Sequence, residues 1–111
     1  MKIGTWNVTT LKNDYRIDIL TDEFRRFELD LLGVSETHIP GVGSMKLSDI
    51  EFVYLGRKDG VNRQGVGLMM NEENAKSCLG CECISNRILI AQVIIKKLKV
   101  SVIAVNVPET N

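Results

Sequence analysis

The chain has 111 residues, 44% hydrophobic and 25% charged, with Lys plus Arg equal to Asp plus Glu at 14 each. That length suits one modest domain or part of a larger one, and the composition is that of a globular chain, not a disordered one. Zero net charge argues against tight non-specific binding to nucleic acid, which rests on neutralising phosphates, although a local cluster can still serve. No apolar run approaches the length of a membrane span, and no signal-peptide hydrophobic region follows Met1-Lys2. No membrane partner and an intracellular place are therefore expected.

Residues 2–8 predict a first strand, since Ile3, Thr5 and Trp6 are good strand formers, with Trp6 expected in the core. Ile17, Leu20, Phe24 and Phe27 then fall three, four and three residues apart, one stripe of a helix over about residues 14–28. Asn13 or Asp14 caps its start. A second strand is expected over residues 30–35, and Pro40-Gly41-Val42-Gly43-Ser44 reads as a loop. Phe52 to Leu55 form a third strand closed by Gly56, and Arg57-Lys58-Asp59-Gly60 a tight turn. Residues 65–70 form a fourth strand, in which Gly65 and Gly67 suggest a bulge or a close backbone approach. Residues 71–76 suit one helical turn.

Cys78, Cys81 and Cys83 are odd in number and crowded, unlike a disulfide framework. A structural zinc site needs a fourth ligand, and the sole histidine, His38, is remote in sequence, so incidental reduced thiols are expected. Residues 88–95 and 100–107 form a hairpin joined by Lys96-Lys97-Leu98-Lys99. Ile88 to Ala91 and Val102 to Val105 are apolar on both faces, where a sheet with one wet face would alternate. This sheet is expected to want cover on both sides, and one helix does not provide it.

The stretch carrying most chemistry is Leu31-Leu32-Gly33-Val34-Ser35-Glu36-Thr37-His38. An apolar strand runs into a carboxylate and an imidazole where a sheet offers its binding edge. A carboxylate there can hold a metal or a proton; equally, Glu36 is a surface residue starting a loop.

Gly4-Thr5-Trp6-Asn7-Val8, Leu32 to His38, Gly65-Val66-Gly67-Leu68, Asn86-Arg87-Ile88-Leu89 and Val105-Asn106-Val107-Pro108, in that order, resemble the first half of the endonuclease/exonuclease/phosphatase family. The endonuclease domains of non-LTR retrotransposons are the members it most resembles. The resemblance implies an α/β (α+β) sandwich with a mixed sheet and a flanking helix, spanning residues 1–111 as the N-terminal half of the domain. It implies hydrolysis of phosphodiesters or phosphomonoesters with Mg²⁺, a hard cation that takes oxygen ligands. Glu36 matches the family's metal-ligating glutamate, and Asn7 the asparagine that orients metal and phosphate, so both are the expected catalytic and metal residues. His38 matches a position that contacts substrate. Asn7 as a turn cap and His38 as a loop histidine are the alternatives from the residues alone. Arg87 pairs with a carboxylate or reaches a phosphate, and Lys96, Lys97 and Lys99 are solvated hairpin-tip lysines or phosphate contacts.

Two departures temper the activity. Asn106 stands where the family has a tyrosine, and Glu109 follows Pro108. The family's Asp-x-Asn and Asp-His motifs have no counterpart in these 111 residues, so this chain alone is expected to be catalytically incomplete. The residues leave DNA, RNA and other phosphoesters open as substrates; the resemblance favours DNA and a nuclear place, and a second chain completing the sandwich is an expected partner. A protein-interaction module, or a mobile-element fragment without function, is the alternative.

Overall fold

The computed structural model describes residues 2–7, 14–35, 37, 39, 41–55, 65–85 and 88–105, with backbone alone for 14–16. In chain order these form β1 (Ile3–Asn7), α1 (Asp14–Arg26), β2 (Leu31–Ser35), β3 (Val42–Leu47) and β4 (Ile50–Leu55). They continue as β5 (Val66–Asn71), α2 (Glu72–Lys76), β6 (Cys78–Ser85), β7 (Ile88–Ile95) and β8 (Leu98–Val105). Expectations for Asn13, Glu36, His38, Gly56 to Gly60, Arg87, Asn106, Pro108 and Glu109 lie outside the described residues.

One sheet runs β1-β2-β5-β4-β3 and the other β6-β7-β8. Only β1–β2 is parallel, which follows from the helix lying between them: a parallel pair needs a crossover, and α1 is long enough to make one. Ile17, Leu20 and Phe24 of α1 pack on Leu32, Val34, Ile50, Phe52 and Met69. The sheet's opposite face, Leu31, Leu55, Val66, Leu68 and Met70, meets Leu89, Ala91, Val93, Ile95 and Ala104 of the smaller sheet. The layers are therefore helix, mixed sheet, antiparallel sheet: an α+β sandwich with one flanking helix.

β5 lies at the centre and is buried on both faces from Val66 to Met70. The bulge or close backbone approach expected there is corrected: the pairings of β5 run without a register shift, and what approaches Gly67 most closely is a side chain, the Phe52 ring, which a Cβ would strike. The two-sided cover expected for the β7–β8 hairpin is corrected. Its inner residues are covered by the five-stranded sheet, not by a helix, while Ile94, Ile103 and Val105 on the outer face are exposed.

Four further expectations are corrected. Residues 42–44 are not loop but the start of β3, because backbone pairing with β4 in the register Val42↔Leu55 to Leu47↔Ile50 outweighs the local Gly and Ser signals. Phe27 leaves the stripe: α1 ends at Arg26, Glu28 turns to φ 52°, and the Phe27 ring lies 55% exposed under the Arg26 guanidinium. The hairpin turn is Lys96-Lys97 alone, both at positive φ, so Leu98 and Lys99 belong to β8. Trp6 is not core; it sits on an edge strand, 41% exposed. The helical turn expected at residues 71–76 is α2, with the Asn71 side chain accepting the Asn74 backbone N–H at 2.8 Å.

Candidate functional site

The parallel register Asn7↔Ser35 brings the carboxyl ends of β1 and β2 side by side. Alternation then sorts the strand residues. Leu31 packs toward the smaller sheet and Leu32 toward α1. Their partners are Ile3 and Gly4, so Ile3, Thr5 and Asn7 share the face toward β8, and Gly4 and Trp6 the face toward α1. Gly33 and Ser35 are in register with Thr5 and Asn7 on the same face.

Between this face and β8 opens a cleft of about 400 Å³ with Thr5, Asn7, Gly33 and Ser35 on one side and Val102 and Ala104 on the other. Three small polar side chains thus face an aliphatic wall. Asn7 is exposed and Ser35 half-buried. No lining residue among those described is ionisable, so the described part of the cleft offers neutral oxygens. On the other side of β1 a second cleft of about 620 Å³ runs along α1, lined by Trp6, Phe24, Phe27, Leu29 and Leu32. Lys2 and Glu23 also line it, an oppositely charged pair of side chains where the first cleft has strand-end oxygens.

Beyond Ser35 the chain is anchored again at Thr37, whose N–H donates to the Gly65 carbonyl at 3.4 Å. Thr37 is fully buried and its Oγ1 has no hydrogen-bond partner. Glu36 lies between these residues in sequence and, like His38, outside the described residues. Of the expected site residues, the structure therefore places Asn7. It adds Thr5 and Ser35, which motif reading passed over. Their signal was available: a residue two before Asn7 and the residue before Glu36, brought to one face by the pleat and the parallel register.

The donor chemistry suits a hard cation. Asn7 and Ser35 offer oxygen donors and the described lining contains no thiol or imidazole, which matches the preference of Mg²⁺ for oxygen, waters included. Among the described residues no three His, Cys, Asp or Glu are grouped to hold an ion. Also among the described residues, no helix is long and apolar enough to cross a membrane.

The chain is 31% identical over 106 residues to craniofacial development protein 2 of Bos taurus, and equally to craniofacial development protein 2 of Tragulus javanicus. Each alignment takes in 96% of this chain and 18% of the relative, so the chain spans less than a fifth of the length of the curated relatives it matches. No family model matches the chain.

Proposed function

We propose that this chain supplies the first strands of a Mg²⁺-dependent phosphodiester-cleaving site of the endonuclease/exonuclease/phosphatase type, with DNA as substrate and the nucleus as its place. The observation that carries the reading is the register-matched pair Asn7 and Ser35 over a polar-floored cleft, with Glu36 next in the chain. Similarity to craniofacial development protein 2 along 96% of the chain supports a common fold for this segment.

Asn7 and Ser35 would orient a phosphate by hydrogen bonding, the carboxamide N–H₂ donating to a phosphate oxygen and its carbonyl oxygen being available to a hard cation. Glu36, which the resemblance matches to a metal-ligating glutamate, would neutralise such a cation, and His38 would contact the substrate backbone. The aliphatic wall of Val102 and Ala104 restricts water to one side of the reacting group. Bound Mg²⁺ supplies Lewis-acid polarisation of the phosphate. Among the described residues the cleft holds no general base; a carboxylate or imidazole from outside them, in this chain, a second copy or further polypeptide, would have to act as one.

Amide NMR of the labelled chain during a Mg²⁺ titration tests this. Shifts confined to Asn7, Ser35 and their neighbours, absent in Asn7→Ala and Glu36→Gln, are expected. Spectra that ignore Mg²⁺ would sink the reading. A second reading, a protein-interaction module, is favoured by the exposed Ile94, Ile103 and Val105 of the outer sheet face. It requires partner binding unchanged by Glu36→Gln.

A further inference from the structure

The three thiols are not scattered. β6 forms one edge of the smaller sheet, and its register sets Cys78 opposite Val93, Cys81 opposite Ala91 and Cys83 opposite Leu89. Those three partners are the fully buried inner residues of β7. Cys78 and Cys81 are three apart, a spacing that would put them on opposite faces of a regular strand. The register shift between Cys78 and Gly80 inserts the extra residue that returns both to one face. All three cysteines are free, Cys78 half-buried and the others exposed.

The sulfurs of Cys78 and Cys81 lie 3.9 Å apart. Two thiolates on one tetrahedral ion with zinc–sulfur bonds of about 2.3 Å are separated by roughly 3.8 Å. The pair therefore already has the bite of a chelate, whereas closing a disulfide means bringing the sulfurs to about 2.0 Å.

We propose that Cys78 and Cys81 are a bidentate thiolate clamp for a thiophilic divalent cation of the zinc class, at the edge of the sandwich remote from Asn7. Among the described residues no third such group is already grouped with the pair. Water completes the shell of the ion held by the two thiolates. Binding breaks two S–H bonds, releases two protons to solvent and forms two metal–sulfur bonds; no electron is transferred.

Titrating the reduced chain with Cd²⁺, a zinc-class ion with an ultraviolet sulfur-to-metal band, tests the clamp, with Zn²⁺ as competitor. A saturable band at one ion per chain, displaced by Zn²⁺ and weakened at least about tenfold in both Cys78→Ser and Cys81→Ser, is expected. Circular dichroism of each variant checks that the fold persists. Absence of the band, or a band lost in Cys83→Ser but kept in the other two variants, overturns the proposal. Mg²⁺ should leave the band untouched; displacement by Mg²⁺ would also overturn it, by showing an oxygen site.

Discussion

Asp30 does more for the fold than any other single carboxylate among the described residues. One oxygen accepts the Lys2 backbone N–H at 2.8 Å, and the other accepts the Asn74 amide at 3.3 Å and that of Asn71 at 3.5 Å. It thereby ties the start of β1 to the entry of β2 and to the β5–α2 corner. The Lys2 N–H, ahead of an opposing desolvation and the two asparagines, holds its carboxyl below the ordinary 3.8. A depressed carboxyl stabilises the fold above its ordinary value, and the contribution is lost as pH falls through the lowered one. Asp30→Asn should therefore cost about 1 kcal/mol near neutrality, water screening the rest, and should flatten the acid limb of stability below pH 3.8. Urea unfolding across that range measures both; an unchanged acid limb would show that Asp30 is not the titrating group.

Within the elements, Gly67 is the tightest point of the sheet. An added methyl there meets the Phe52 ring at 2.4 Å and 2.7 Å and the Val53 carbonyl at 3.2 Å. Gly67→Ala should destabilise by about 1–3 kcal/mol, read as a lower denaturation midpoint, because a ring locked between α1 and the sheet has nowhere to turn. The sequence marked this glycine as a tight point but not that a side-chain ring fills it, whereas the stripe Ile17, Leu20 and Phe24 was legible, since period and composition there agree. β6 was not legible: Cys, Gly and Glu carry little strand signal, and pairing with β7 makes the strand. β3 was hidden for a related reason, as Gly43 leaves room for the Tyr54 ring and Gly, Ser and Pro otherwise spell a loop. At the site, Asn7 was legible as the end of a strand, whereas Thr5 and Ser35 needed the register, a fact of pairing that no local pattern contains.

Over the whole molecule, stability is concentrated where the two sheets meet. Leu89 is fully buried in that interface, while Ile103, across the hairpin on the outer face, is 58% exposed. Leu89→Ala should cost about 2–5 kcal/mol and Ile103→Ala less than about 1 kcal/mol. A large loss at Ile103 in thermal unfolding would mean that the outer face is covered in solution. The arrangement also has a consequence for motion. β1 is an edge strand held by β2 alone, through a pairing that joins residues 28 apart in the chain, whereas β5 is gripped on both sides and both faces. Edge strands with few covering partners open at lower free energy than central ones. The backbone amides of Ile3 to Asn7 should therefore trade hydrogen for deuterium well before those of Val66 to Met70. Asn7 thus stands on the strand that comes loose first, and anything that pairs with the free side of β1 will slow that opening and hold the carboxamide in place.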